Sequence, residues 1–180
     1  MDPLSQPPEV DTVAYRDVVG RFPTGVTVVS ARSPQGVRLM TANSFTSVSL
    51  EPLLVLVCVR LTARFHQAVV NAGEWAVSVL AADQEWLARL FAGRSGDAEL
   101  QGDLRADPHA DLHAVPHRLG PRTGAPLLDG SVAALECRTV AAHPGGDHTI
   151  LLGAVLDGAV AREGVSPLVF CRGGYESLAP

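Results

Sequence analysis

Residues 26–59 read VTVVSARSPQGVRLMTANSFTSVSLEPLLVLVCV, and this stretch decides the fold class. Its first six residues, Val26 to Ala31, are mostly β-branched and apolar, as expected of a strand. The turn sequence Ser33-Pro34-Gln35-Gly36 follows, and an extended run resumes at Val37. Two extended runs joined by a short Pro/Gly turn predict a β-hairpin.

The second half of the stretch predicts one polar strand and one apolar strand. The second arm of the hairpin continues through Thr41–Ser49, where hydroxyl or amide side chains fill six of nine positions. Such a strand could bond the polar edge of a flat heterocycle; the plain alternative is an exposed edge strand. Pro52 then opens Leu53 to Val59, whose unbroken apolar run predicts a strand covered on both faces.

The flanking sequence adds more strands than helices. Capping signals and apolar periodicity predict three helices: one from Asp11 or Thr12 ended by Phe22–Gly25, one capped by Thr62 and stopped by Gly73, and one capped by Asp83. A strand containing Trp75, Val77 and Val79 is predicted between the second and third helices. Two long strands are predicted at Ser131–Ala142 and His148–Leu156, joined by the turn His143–Asp147, and a last strand at Pro167–Arg172. Several connections are too short for crossover helices. The expected fold is mainly β, an antiparallel sheet closed as a barrel with a few helices outside.

The chain length of 180 residues predicts a single globular domain. Residues 1–10 hold three prolines and little that could pack, so we expect a flexible N-terminal arm there and a domain spanning 11–180. Within that domain, residues 93–125 have no clear period and hold three more prolines. A long variable loop with a functional or interface role is expected over that range.

Composition excludes several function classes. All fourteen residues counted as lysine or arginine are arginine, and a P-loop, a pyridoxal phosphate enzyme and a protein kinase each need a lysine. The net charge of −5 offers no basic surface to a nucleic acid, so no nucleic-acid partner is expected. No G-x-G-x-x-G follows a strand, which disfavours a Rossmann domain.

Nothing in the sequence indicates a membrane segment. The first ten residues lack the basic and apolar regions of a signal peptide, and the longest apolar run, Leu53 to Val59, is too short to span a bilayer. We therefore expect a cytoplasmic protein with no membrane partner.

The cysteines and histidines do not predict a metal site. Cys58, Cys137 and Cys171 are odd in number and widely spaced in apolar sequence, as expected of buried reduced thiols. Histidines recur every four residues over 109–117, but Pro116 interrupts any helix that would align them.

One short segment has the composition of an anion site. Arg60-Leu61-Thr62-Ala63-Arg64 lies where the buried strand meets the start of a helix. Free N–H groups, the helix dipole, the Thr62 hydroxyl and two guanidinium groups could converge there on a phosphate. The alternative is a threonine cap beside two solvated arginines.

A histidine stands at the start of one of the long strands. Asp147-His148 follows a Gly-Gly turn, which could hold the imidazole at the mouth of the barrel against a ligand. A histidine at a strand start can equally be an ordinary surface residue.

Taken together, several blocks make the chain resemble the flavin reductase-like family, the small reductase components of two-component flavin-dependent monooxygenases. These blocks are Phe22–Val29, Met40–Ser49, Val57–Val59, Gly145–Ile150 and Arg172–Tyr175. The resemblance runs from about Tyr15 to Tyr175, and several blocks in the same order are more specific than any single one.

The resemblance implies a fold, an activity and partners. The fold would be an FMN-binding split β-barrel of Greek-key type with peripheral helices, acting as a homodimer. The activity would be hydride transfer from NADH or NADPH to FMN or FAD, with reduced flavin supplied to a partner monooxygenase.

The resemblance also implies site residues. It assigns the flavin ring and ribityl chain to Met40, Thr41, Ala42, Asn43, Ser44 and Ser47, and the flavin phosphate to Cys58, Val59, Arg60, Thr62, Ala63 and Arg64. It assigns the phosphate side or adenylate to Phe91 and Arg94, and the nicotinamide to His148, with Arg172 and Tyr175 as weaker candidates. Thr24 is a further predicted cofactor-binding residue. His148 is the one residue with an expected catalytic role, positioning the nicotinamide.

Residues 97–117 depart from the family pattern, and two other functions stay open. One is a flavoenzyme on the same barrel that keeps its flavin and acts with oxygen on an organic substrate. The other is a flavin-binding partner subunit without catalysis.

Overall fold

The computed structural model describes residues 10–34, 36–92, 112 and 114–178. Its helices are α1 Thr12–Val19, α2 Arg64–Ala72 and α3 Glu85–Phe91. Its strands are β1 Thr24–Gly25, β2 Thr27–Ser33, β3 Gly36–Ala42, β4 Thr46–Leu50, β5 Leu53–Arg60, β6 Glu74–Val79, β7 His117–Leu119, β8 Pro126–Leu128, β9 Ala133–Gly145, β10 His148–Val160, β11 Leu168–Cys171 and β12 Gly174–Ser177. The expectation of a mainly β fold is confirmed.

One seven-stranded sheet organises the fold, in the order β3-β2-β6-β9-β10-β5-β4. Every strand pair in the described part of the chain is antiparallel, as expected. β3 and β4 form opposite edges of the sheet, yet only residues 43–45 separate them in sequence. Because three residues cannot cross a flat seven-stranded sheet, the sheet curls until its edges approach.

The polar segment does not form one continuous strand. The expected second arm, Thr41–Ser49, ends at Ala42 and resumes at Thr46. Asn43, Ser44 and Phe45 make the link between the two sheet edges. The polar residues are thus explained by a connection rather than by a long polar strand, and this connection lies at the candidate site described below.

The hydrophobic core lies inside the curled sheet and under its helices. One cluster surrounds Trp75, which is fully buried and donates from Nε1 to Thr139 Oγ1 at 3.1 Å. Gly153 packs against the Trp75 ring, where an added Cβ would lie 2.5 Å from a ring carbon. A second cluster, including Leu80, Leu87 and Leu168, packs beneath α3. These two clusters hold β5 and α3 in place, the elements that carry the candidate site.

Two predicted helix caps are wrong. Ala63, not Thr62, is the N-cap of α2, because the N–H of Ala63 donates to Arg60 O at 3.0 Å and closes a turn before the helix begins. A short 3-10 turn, Ala82–Gln84, precedes α3. Asp83 lies inside that turn and pairs instead with Arg162 at 3.2 Å. The predicted stop of α2 is confirmed, since Gly73 has φ 66°.

Several strands differ in extent from the expectation. β10 begins at His148 as predicted, but β9 continues three residues past the predicted end, to Gly145, so that only Gly146 and Asp147 form the turn, with Gly146 at φ 68°. The range 93–125 is not all loop, because it contains β7, which pairs with β8. β12 follows the last predicted strand and completes a three-stranded sheet with β1 and β11.

Helix α1 has an apolar face that the other described residues leave exposed. The Asp11 carboxylate caps it, accepting from Val13 N and Ala14 N at 2.8 and 2.9 Å. No α1 residue is buried, and Val13 is 77% and the neighbouring Phe22 75% exposed.

The helices described, α1, α2 and α3, are all too short or too polar to cross a bilayer.

Candidate flavin and nicotinamide site

A cavity of about 240 Å³ lies between the end of β3, the end of α3 and the hairpin of β11 and β12. Its lining residues are Val26, Thr41, Asn43, Ala92, Phe170 and Tyr175. The Thr41 hydroxyl donates to Ala88 O at 2.8 Å, which attaches β3 to α3 at the cavity wall. Three predicted site residues, Thr41, Asn43 and Tyr175, are thereby brought together.

Strand alternation divides the predicted ring-binding segment. Thr41 and Asn43 line the cavity, whereas Met40 and Ala42 pack against the core. Because successive side chains of a strand point to opposite faces, only alternate residues reach a ligand. Val59 is fully buried in the same core. The side chains of Met40, Ala42 and Val59 are therefore occupied by the core, which leaves only backbone groups for the cofactor contacts predicted there.

Two hydroxyl groups belong to residues next to those that line the cavity, Ser44 after Asn43 and Thr24 beside Phe170. Ser44 Oγ accepts from Cys58 N at 3.0 Å and lies 3.2 Å from Cys58 O, so this side chain joins the connection between β3 and β4 to β5. Thr24 Oγ1 is buried and has no hydrogen-bond partner among the described residues. Thr24 pairs directly with Phe170 of the cavity wall, so both side chains stand on the same face. An unpaired buried hydroxyl is costly unless a ligand satisfies it.

Two aromatic rings form part of the cavity wall. Phe170 and Tyr175 face each other across β11 and β12, with ring centroids 5.3 Å apart in an edge arrangement. Burial raises the pKa of the Tyr175 hydroxyl, and Arg89 opposes that effect.

The turn of this hairpin contains the one non-glycine residue with positive φ in the described part of the chain, Arg172 at φ 51°. Its N–H donates to Gly20 O at 2.6 Å, which joins the turn to the end of α1. A left-handed non-glycine residue costs roughly 1–2 kcal/mol, and such strain is concentrated at functional positions.

A second group of predicted residues meets where the end of β5 pairs with the start of β10. Arg60 and His148 are directly opposite in the β5–β10 ladder, and Leu61 N donates to Asp147 O at 3.0 Å. The anion segment and the predicted nicotinamide residue, distant in sequence, are therefore neighbours.

A carboxylate orients the His148 ring. His148 Nδ1 lies 2.7 Å from Asp147 Oδ1, and the imidazole is one-third exposed. This hydrogen bond lowers the pKa of the Asp147 carboxyl, assisted by the charges of His148 and Arg60. Asp147 therefore stays ionised at neutral pH and favours the tautomer that keeps the proton on Nδ1.

The start of α2 is open to an anion. Ala63 has no side-chain cap bond, so no side chain of that residue caps the first N–H groups of the helix, although the N–H of His66 donates to Ala63 O at 2.9 Å. Thr62 and Arg64 flank it and are both exposed. His66 Nε2 lies 2.8 Å from Thr149 Oγ1, which fixes α2 against β10 beside His148.

The remaining predicted residues are placed differently. Ser47 is exposed on β4 opposite Val55 and is not among the residues that line the cavity. Phe91 packs against the core cluster beneath α3. Arg94, most of residues 97–117 and the histidines at 109 and 113 lie outside the described residues. Across the described ranges, no three His, Cys, Asp or Glu side chains converge as metal ligands.

Sequence reasoning missed three residues that shape this site. Phe170 lies in a predicted strand and gave no signal beyond its apolar character. His66 and Arg89 each lie on a predicted helix. For Arg89 the sequence does hold a signal, because it follows Glu85 by four residues, the spacing of an ion pair on a helix; for His66 it holds none.

The sequence profile of the family described as Flavin reductase like domain matches residues 19–179. The chain belongs to the flavin reductase-like family. This membership confirms the resemblance seen in the sequence blocks.

Individual flavin reductase-like relatives match along their whole length. An NADH-dependent FAD reductase of Streptomyces globisporus is 44% identical, with 100% of this chain and 96% of that protein covered. The solved structure of Streptomyces globisporus C-1027 NADH:FAD oxidoreductase SgcE6 with NAD and FAD fragments has a TM-score of 0.80 at 44% identity, covering 94% of each chain. BorF, the flavin reductase component of a bacterial two-component tryptophan halogenase, has a TM-score of 0.81 at 37% identity, covering 94% of this chain and 99% of that one.

Proposed function

We propose that this chain is an NAD(P)H-dependent flavin reductase that reduces FMN or FAD and supplies the reduced flavin to a partner flavin-dependent monooxygenase. The observation that carries this proposal is the 44% identity over the whole chain to an NADH-dependent FAD reductase. The component roles of relatives such as BorF support the partner.

The described residues fit a flavin nucleotide. The Asn43 amide offers hydrogen bonds at the cavity, as does the unpaired hydroxyl of Thr24 beside Phe170 of the cavity wall, and the uncapped start of α2 beside Arg60 and Arg64 suits a phosphate. Ser44 lies between these two places, since it bonds Cys58 two residues before Arg60. A flavin nucleotide has the same order, a flat polar-edged ring, a linker and a phosphate.

The protein's part in the reaction is positional. A bound flavin and nicotinamide supply the hydride chemistry themselves, so no acid, base or nucleophile is required of the chain. Thr24, Asn43 and the α2 start hold one cofactor, and His148 orients the other. Holding both rings in contact replaces a bimolecular encounter by a preorganised one.

We propose that this reductase folds as a split barrel and forms a homodimer. The curled sheet with its edges joined by residues 43–45 supports the barrel. The uncovered apolar face of α1 and Phe22 supports burial against a second copy. Sedimentation velocity should show a dimer, and Phe22→Asp should shift it toward monomer. A monomeric unmodified protein would contradict the assembly.

The activity is tested by supplying flavins and nicotinamides in turn. NADH and NADPH oxidation is followed at 340 nm with FMN, FAD or riboflavin added. Rapid oxidation that depends on added FMN or FAD is expected. Flavin retained through gel filtration, with slow oxidation in the absence of added flavin, would instead indicate the flavoenzyme that keeps its cofactor. Flavin binding with no oxidation under any condition would leave a non-catalytic flavin-binding subunit.

His148→Ala should raise the KM for the nicotinamide substrate about tenfold and leave the flavin Kd within twofold, because one hydrogen bond to a charged or polarised group contributes roughly 1.5 kcal/mol. Asp147→Asn should give a smaller rise, since the ring remains but loses its orienting carboxylate. Steady-state kinetics in both substrates and flavin fluorescence titration measure the two effects. Unchanged nicotinamide kinetics in His148→Ala would remove this residue from the site.

A further inference from the structure

Arg89 forms an ordered stack with the aromatic wall of the cavity. Its guanidinium carbon lies 5.0 Å from the centroid of the Tyr175 ring. Its Nε and Nη2 approach Glu85 Oε1 at 2.7 and 2.6 Å. A guanidinium is planar, so its edge can bond a carboxylate while its face covers a ring.

This arrangement is not needed to build the core. The Arg89 side chain is 55% exposed and that of Glu85 44%, whereas the buried face of α3 is formed by Leu87 and Ala88. A surface ion pair of this kind contributes little to stability. The position of Arg89 between a carboxylate and a ring at the edge of the cavity is therefore better explained by its effect on that ring than by a contribution to stability.

Tyr175 is the residue through which Arg89 reaches the cavity. One contact of the ring is with Arg89 and another with the edge of Phe170, and both aromatic residues line the cavity. These contacts restrict the rotation of the Tyr175 side chain. A ring fixed in advance binds a flat partner without losing further side-chain entropy.

We propose that Arg89 is a positioning residue: clamped by Glu85, it fixes the Tyr175 ring as the wall on which a flat heteroaromatic ring of a nucleotide substrate packs. This inference rests on the proposed reductase function and extends it to a residue that the family blocks in the sequence do not include. The shared ligand chemistry is a heteroaromatic ring carried by a phosphorylated ribose or ribityl chain, present in both the flavin and the nicotinamide substrates.

The kinetic test varies each substrate separately in four variants. Arg89→Met keeps the stem and removes the charge, Arg89→Lys keeps a cation, and Glu85→Gln loosens the clamp. Arg138→Met is the matched control, because Arg138 also bonds a carboxylate, Glu74, at 2.9 Å on the surface and does not line the cavity. Thermal unfolding of each variant confirms that the fold is kept.

The expected result is a rise of about tenfold in the KM or Kd of one substrate in Arg89→Met, with kcat within twofold. Arg89→Lys should recover part of the loss, Glu85→Gln should fall between the two, and Arg138→Met should match the unmodified enzyme. The substrate whose KM rises is the one whose ring meets Tyr175. Unchanged KM and Kd values for both substrates in Arg89→Met would overturn the inference.

A titration of Tyr175 checks the stack independently of turnover. The chain has two tyrosines, so Tyr15→Phe leaves Tyr175 as the only phenol. Arg89 lowers and Glu85 raises the pKa of Tyr175; Arg89→Met should therefore shift the tyrosinate absorbance titration to higher pH and Glu85→Gln to lower pH. If the midpoint of the tyrosinate titration is the same in both variants as in the parent protein, the contact between Arg89 and Tyr175 does not exist in solution.

The two proposals fail in different ways. If the unmodified protein oxidises neither NADH nor NADPH with any flavin, the reductase function fails, and the tyrosine titration still reports the stack. If the unmodified protein is active and Arg89→Met has the same KM values, only the positioning role fails.

Discussion

The double variant Thr62→Val, Arg64→Leu should weaken FMN binding about 100-fold. Both side chains flank Ala63 at the uncapped start of α2, where a phosphate would accept from the backbone and from these two groups. Each charge-assisted hydrogen bond contributes roughly 1.5–3 kcal/mol, and about 1.4 kcal/mol is a factor of ten. Both side chains are exposed, and water screens part of the interaction. We therefore assign each of the two side chains the lower value, about 1.5 kcal/mol.

Riboflavin provides the internal control for this result. It carries the same ring as FMN but no phosphate, so its Kd should stay within twofold in the double variant. Fluorescence titration of both flavins, with Arg138→Leu as a surface arginine control, separates loss of the phosphate contact from general damage. Equal weakening of FMN and riboflavin would place the phosphate elsewhere and return α2 to the role of an ordinary surface helix.

The predicted elements that are confirmed have a strong local cause. The unbroken apolar run Leu53 to Val59 became β5, Asp11 caps α1, and Gly73 ends α2 in a left-handed conformation. Each depends on residues within one turn or one strand. Thr62 and Asp83 are good caps by residue type, but each meets a competing interaction. A turn closed by Ala63 N on Arg60 O moves the start of α2 past Thr62, and Asp83 pairs with Arg162.

What the sequence could not show was the pairing of distant segments. His66 and Thr149 are 83 residues apart and Arg60 and His148 are far apart along the chain, so their proximity follows only from the strand order. Strands β7 and β8 have three residues each and no alternation to detect. β8 is held by Ser30 Oγ, which donates to Pro126 O at 2.6 Å, and by Leu128 N, which donates to Ser78 Oγ at 3.0 Å, and β7 pairs with β8.

The candidate site was also predictable only in part. The blocks of the family resemblance predicted Thr41, Asn43 and His148 where the structure has them lining a cavity or facing Arg60. Blocks of sequence do not report which face a residue takes, and this is why Met40 and Ala42 were included although they pack inward.

Glu136 is the clearest case of a structural role hidden in the sequence. It is 2% exposed on β9, and its Oε1 accepts from Arg122 N at 3.1 Å, Thr123 N at 2.8 Å and Thr123 Oγ1 at 2.7 Å. Gly120 adjoins the same carboxylate and leaves no room for a Cβ. The carboxylate therefore organises the turn between β7 and β8, a turn that local residues alone did not predict.

Glu136→Ala should lower the free energy of unfolding by about 3 kcal/mol or more, because three donors at a partly buried turn lose the carboxylate that accepts from them and each such bond contributes roughly 1.5–3 kcal/mol. Relaxation of the turn toward water recovers part of the sum. For a chain of this size, about 3 kcal/mol corresponds to a fall in Tm of roughly 10 °C.

Glu74→Ala is the matched control for this prediction. Glu74 lies on the neighbouring strand β6 and pairs with the exposed Arg138, so its loss should cost less than about 1 kcal/mol. Urea unfolding monitored by tryptophan fluorescence, with Glu136→Gln as an intermediate that keeps one acceptor oxygen, ranks the three variants. Equal stability of Glu136→Ala and Glu74→Ala would mean that water replaces the carboxylate at the turn, and that the backbone bonds of the turn and the contacts of Ser30 and Ser78 suffice to hold β7 and β8.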